Sequence, residues 1–132
     1  MIETLVANGL TALSGYDSFG QEQIDGIVKK ASVAALGRHA ELAMLAVEET
    51  GRGVFEDKAV KNIFACEHVT NHMADVRTVG VIAQDDITGI TQIAEPVGVV
   101  AAVTPVTNPT STTIFKAIGQ LLTGPGATPV SS

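Results

Sequence analysis

The chain has 132 residues, which suits one ordinary domain, and 45% of them are hydrophobic, enough for a core and too many for disorder throughout. Its formal net charge is −6 with no basic run, which excludes sequence-independent nucleic-acid binding through clustered Lys and Arg. The longest clean apolar run, residues 97–103, is too short to cross a bilayer, and the single cysteine, Cys66, can form no internal disulfide. Near the N-terminus stands an acidic Glu3 and no basic segment, so no secretory signal is expected and the cytoplasm is the expected compartment. With four Phe, one Tyr and no Trp, packing falls to Ala and Val, which suits closely spaced helices and a Val-rich strand.

Residues 2–13 predict a helix, with Leu5, Val6, Leu10 and Leu13 near helical spacing. Residues 15–20 break it, and Ser18 with Gln21 is expected to form a capping box. A second helix runs over 21–36, its face made of Ile24, Ile27, Val28, Ala31 and Ala35, and Gly37 ends or bends it. A third, over 39–50, turns Leu42, Leu45 and Ala46 inward, and the glycines of Gly51-Arg52-Gly53 stop it in a left-handed cap. A fourth, over 56–73, carries Val60, Ile63, Phe64 and Val69. From Val79 the chain turns rich in Val, Ile and Thr. Residues 79–83 and 87–94 predict strands joined at Gln84-Asp85-Asp86 as a hairpin, the second broken by Gly89. Residues 97–103 are apolar throughout, the pattern of a strand covered on both faces. A helix over 110–122 follows, capped by Asn108 or Thr110 with Pro109 near its first turn. Residues 119–132 shift to Gly, Pro and Ser and are expected to be a disordered tail with no second apolar strand.

Few residues outside the 104–108 loop carry a chemical signal. Asn108 lies between Pro105 and Pro109 beyond a strand's carboxyl end, where open α/β enzymes gather ligands. On pattern alone it reads first as a helix cap or turn residue. Cys66, beside Glu67 in a helix, lacks the electropositive setting of a thiolate nucleophile and reads as a buried packing residue. His68 and His72 share a helix face, but two ligands do not make a metal site, so no metal is expected. Glu48 and Glu49 point about 100° apart and cannot share a substrate. Gly51-Arg52-Gly53 follows no strand, and Gly124-Pro125-Gly126 has proline where an N–H donor would be needed, so neither cradles phosphate.

Two separated motifs point to a family. Ala46-Val47-Glu48-Glu49-Thr50-Gly51-Arg52-Gly53-Val54-Phe55-Glu56-Asp57-Lys58 with Lys61-Asn62 comes first. Ile93-Ala94-Glu95-Pro96-Val97-Gly98-Val99 with Thr104-Pro105-Val106-Thr107-Asn108-Pro109-Thr110-Ser111-Thr112 follows. Together they resemble the CoA-acylating aldehyde dehydrogenases, most of all the N-terminal half of the bifunctional aldehyde–alcohol dehydrogenases of fermentative bacteria. The likeness runs from about Leu5 to Ile118 and fails over 119–132.

The resemblance implies an α/β fold: the N-terminal portion of the aldehyde dehydrogenase fold, truncated, with a helical layer, a β-hairpin arm and the first Rossmann-like strand. Residues 1–118 would be that piece and 119–132 the unmatched tail. The parent reaction would exchange acyl-CoA and NADH with aldehyde, CoA and NAD. The resemblance gives Asn108 the role of oxyanion donor and lines the cofactor with Thr104, Pro105, Val106 and Thr107. The hairpin from Val79 to Ala94 would join neighbouring subunits in a homo-oligomer. The family's nucleophilic cysteine lies downstream of the Asn-Pro-Thr loop, and no cysteine follows Asn108 here. The chain by itself is therefore expected to be inactive and to bind no cofactor tightly. The alternative function is a non-catalytic interaction or assembly module derived from the same enzyme. An alcohol dehydrogenase half in the parent stays open.

Overall fold

Helices dominate the first half of the computed structural model, which describes residues 2–123 and 128–130. Helix α1 spans Ile2–Tyr16, α2 Gln21–Leu36, α3 His39–Thr50 and α4 Phe55–Ile63. One turn of π-helix, Phe64–His68, continues α4 into the short α5, Val69–Met73. Strands β1, Gly80–Asp85, and β2, Ile90–Ala94, form an antiparallel hairpin. Strand β3, Ala101–Val103, leads through a loop into α6, Pro109–Thr123, and β4, Thr128–Val130, lies parallel to β3.

The core forms where α2, the π-turn and α6 meet. Ile24 and Val28 from α2, Ala65 and Cys66 from the π-turn, and Ile114, Ile118 and Leu122 from α6 are buried together with Tyr16. Ile24, Val28 and Ser32, each four residues after the last, bring one stripe of α2 against this layer. Ser32 donates its hydroxyl to the Cys66 carbonyl, which satisfies a backbone oxygen in the π-turn from the neighbouring helix. Tyr16 donates its hydroxyl to the Leu121 carbonyl and so ties α1 to the end of α6. Small Ala43 and Ala46 on α3 let that helix approach α4 closely.

Local signals in the sequence set α2 and α3 as expected. Gly51 closes α3 at φ 62°, in the left-handed region where a side chain would be strained. The cap of α2 differs from expectation: the Gly20 amide donates to Gln23 Oε1 at 3.1 Å, and Ser18 bonds back to the Gly15 carbonyl instead. Gln21 has another task, accepting the amides of Thr78 and Val79 through Oε1 at 2.8 and 3.2 Å. That contact pins the chain where the hairpin begins.

Three expectations need correction. The fourth helix turns its other face inward. Lys58, Asn62, Ala65 and Cys66 are buried, whereas Val60 and Phe64 are 65% and 58% exposed, and Leu45 on α3 is exposed as well. The buried polar pair answers to carbonyls and hydroxyls of distant segments, described below, and the π-turn shifts the helical phase at Phe64. In the hairpin, Gly89 is the left-handed turn residue, φ 69°, and does not interrupt a strand. Asp85 holds that turn by accepting the Ile87 and Thr88 amides.

The third correction concerns the apolar run. Only its last three residues form β3, and they alternate exposed, buried, exposed. Residues 97–100 instead lie along the end of α6, where Val97 donates to the Thr123 carbonyl and Gln120 donates to the Gly98 carbonyl. The expected tail is also partly structured: 119–123 complete α6, and β4 supplies the parallel partner that the sequence does not announce. With α6 between them, β3 and β4 form the strand–helix–strand unit that parallel pairing requires. Residues 124–127 and 131–132, with the Gly124-Pro125-Gly126 turn, lie outside the described residues.

Ile24 is 1% exposed, so Ile24→Ala is expected to cost about 2–5 kcal/mol of stability. Val60→Ala is expected to change stability by less than about 0.5 kcal/mol. Urea unfolding midpoints measure both; a large loss at Val60 would mean that its face packs inward.

Candidate functional site

The loop from Thr104 to Asn108 connects the carboxyl end of β3 to the amino end of α6. Pro109 takes the first helical position, where its missing N–H costs nothing and its fixed φ favours the helix. The Thr112 amide closes the first turn on the Asn108 carbonyl at 3.3 Å. Thr113 Oγ1 donates to the Pro109 carbonyl at 2.9 Å and stands 3.4 Å from Thr104 Oγ1. Lys116 Nζ reaches back to the Val103 carbonyl at 2.7 Å. The strand end, loop and helix start are thus cross-linked within one segment.

A second set of contacts comes from α4. The buried Lys58 donates to the Thr107 carbonyl at 2.8 Å. Lys61 donates to Asn108 Oδ1 at 3.2 Å. Asn62, fully buried, donates Nδ2 to the His39 carbonyl at 2.9 Å and accepts the Thr110 hydroxyl on Oδ1 at 2.9 Å. Positions 58, 61 and 62 follow helical i, i+3, i+4 spacing, so one face of α4 carries all three. Gly53, at φ 76°, makes room for this: a Cβ there would come within 3.3 Å of Lys58 Cε.

Two clefts flank the first turn of α6. One, of about 270 Å³, is lined by Lys61, Phe64, Asn108, Ser111, Thr112 and Phe115. The other, of about 440 Å³, is lined by Leu42, Glu49, Thr104, Pro109, Thr110 and Thr113. The structure therefore keeps Asn108 and Thr104 on one loop but turns them to different clefts. Both are half-buried, and Pro105, Val106 and Thr107 are exposed between them. No side-chain cap from Asn108 to α6 forms among the described residues; its oxygen is taken by Lys61. Lys58, Lys61 and Asn62 are the site residues that residue patterning did not single out. Their signal was present as a polar i, i+3, i+4 stripe on a helix read as apolar.

The remaining chemical candidates lie elsewhere. Cys66 is 0% exposed, and burial pushes its thiol up from the ordinary value. That is opposite to what a nucleophile needs. His68 stacks on Phe64 with ring centroids 5.4 Å apart. Among the described residues no three His, Cys, Asp or Glu side chains converge as a metal site would require. None of the described helices is long and apolar enough to cross a membrane.

Relatives of this strand–loop–helix and its supporting helices are found by sequence and by structure. The chain is 63% identical to aldehyde-alcohol dehydrogenase 2 of Entamoeba histolytica over 124 residues, 92% of this chain. It superposes on an acetylating aldehyde dehydrogenase from Geobacillus thermoglucosidasius with a TM-score of 0.92 at 40% identity over 98% of its length. Its sequence and its fold match the acylating aldehyde dehydrogenases. An engineered glycolyl-CoA reductase with bound NADP+ is a more distant neighbour, with a TM-score of 0.75 at 27% identity. No protein-family model matches the chain. The chain spans 14% of the length of the Entamoeba relative and 28% of the Geobacillus structure. What it matches in aldehyde dehydrogenases is the N-terminal part of the fold, as the motifs around Gly51 and Asn108 imply.

Asn62→Ala would strip partners from the His39 carbonyl and the Thr110 hydroxyl, and is expected to cost about 1–3 kcal/mol in urea unfolding. A second test uses pH. Burial raises the Cys66 thiol, and burial with the nearby Asp25 carboxylate raises the Tyr16 phenol. The folded state holds both protons more tightly than the unfolded chain. This stabilisation is intact below the ordinary thiol and phenol values, about 8.5 and about 10, and is lost as pH rises past them. The urea midpoint is expected to fall between about pH 8 and about pH 10.5; a midpoint that rises over that range would contradict the burial of both groups.

Proposed function

We propose that this chain supplies the oxyanion-stabilising portion of an NAD-dependent, CoA-acylating aldehyde dehydrogenase of fermentative ethanol metabolism. The overall reaction is acyl-CoA + NADH + H⁺ ⇌ aldehyde + CoA + NAD⁺, in the cytoplasm. The observation that carries the reading is Asn108 at the carboxyl end of β3. Its oxygen is occupied by Lys61 and its amide nitrogen has no partner among the described residues. A donor of that kind, held in place before reaction, stabilises the negative oxygen that develops when a thiolate adds to a carbonyl. Pro109 and the Lys58 bond to Thr107 fix the backbone on both sides, so little ordering is needed at reaction.

The nicotinamide cofactor would exchange hydride with the carbonyl carbon. The residues present suit one end of it. Thr104 offers a hydroxyl, and the exposed Pro105, Val106 and Thr107 offer a surface for a ribose and a flat ring. The described residues contain no glycine-rich turn between strand and helix to cradle a pyrophosphate. The sulfur must also come from outside these residues, since Cys66 is buried in the core and no cysteine follows Asn108. The 132 residues alone are therefore expected to show no turnover and no tight cofactor binding.

The hairpin favours an assembly role beside catalysis. Val81, Ile82, Ile90 and Ile93 are all exposed on it, an apolar surface that would suit pairing with a neighbouring subunit. Both roles belong to one enzyme, and the chain could serve the second without the first.

Asn108→Ala in a complete enzyme carrying this segment is expected to lower kcat by about 100–1,000-fold, measured as NADH oxidation with acetyl-CoA. Unchanged kcat would refute the donor role. With the 132-residue chain alone, NADH absorbance should stay at background, and steady oxidation would refute inactivity.

A further inference from the structure

We propose that Lys61 is a positioning residue that fixes which end of the Asn108 carboxamide faces the cleft between α4 and α6. This rests on the reading of Asn108 as the oxyanion donor. An amide's two ends are nearly equal in shape, so packing alone does not choose between them. An ammonium does choose, because it can only donate. With Lys61 Nζ 3.2 Å from Oδ1, the amide nitrogen turns the other way, and its two N–H groups are left for the cleft that Asn108 lines. A flipped amide would point a carbonyl oxygen at a developing negative charge and repel it.

The same contact strengthens the donor. A charge-assisted bond to Oδ1 draws electron density toward the oxygen and makes the N–H groups better donors. Lys61 does not act alone on the loop. Lys58 and Lys116 hold the carbonyls of Thr107 and Val103, so three ammonium groups surround the segment. None of them is paired with a carboxylate; among the described residues the ion pair is Arg38–Glu41. In a chain of net charge −6, the cleft that Asn108 lines has Lys61 and no carboxylate among its lining residues, a setting suited to an oxyanion.

The test is a double-mutant cycle in a full-length acylating aldehyde dehydrogenase carrying residues 5–118 in place of its own matching stretch. Lys61→Met is expected to lower kcat by about 10–100-fold with KM little changed. Lys61→Arg, which keeps a donor, should restore most of the rate. In an Asn108→Ala background, Lys61→Met should cost nothing further. A loss that adds in full to that of Asn108→Ala, or one confined to KM, overturns the proposal. An Asn108→Ala variant with unchanged kcat overturns the donor reading beneath it instead. A readout independent of turnover uses the 132-residue chain. The Asn108 side-chain amide resonances, assigned by their loss in Asn108→Ala, should shift on Lys61→Met and return with Lys61→Arg. Resonances that do not move also overturn the proposal.

Discussion

The bond from the buried Lys58 ammonium to the Thr107 carbonyl is the contact on which the site depends. A five-residue loop between a three-residue strand and a helix has little to hold it by itself. Lys58 is 6% exposed, and a charge carried so far into the protein is costly to leave without an acceptor. The requirement runs both ways: the lysine needs the carbonyl, and the carbonyl fixes the loop. Gly53 belongs to the same device, since its bare Cα lets the lysine stem pass. Asn62 extends it by joining the start of α3 to the start of α6 through one side chain.

What was legible in the sequence was local. The bounds of α2 and α3, the left-handed Gly51 cap and the existence of the hairpin all follow from signals within a few residues of each feature. The inward face of α4 was not, because it is decided by groups 48 and 49 positions away: the Thr110 hydroxyl and the Thr107 carbonyl. Apolar periodicity sees only side chains that prefer oil, and here the helix spends part of its buried face on polar ones. Val60 and Phe64, which carry its apolar pattern, stay exposed for that reason. Strand β3 is shorter than its apolar run for a related reason. The run 97–103 is uniformly apolar, but its first residues bond to the end of α6 and never reach a sheet. Strand β4 gave no sequence signal, since three residues including Pro129 do not make a pattern.

At the candidate site, the sequence singles out Asn108 and the loop, and the resemblance implies a role. It did not locate the partners that set the side chain's orientation. Those partners lie in the first motif of the resemblance, on Lys58, Lys61 and Asn62, and the loop lies in the second. In the structure the first motif is the bed on which the second rests. Cys66 fits the same division of labour. It packs in the core beside α2 and α6 and takes no part in the loop.

The most direct measurement is amide hydrogen exchange at Thr112, whose N–H closes the first turn of α6 on Asn108. In Lys58→Met, its protection should fall sharply while amides in α2 keep theirs. Protection at Thr112 that is unchanged by the substitution would contradict the claim that α4 holds the loop in place.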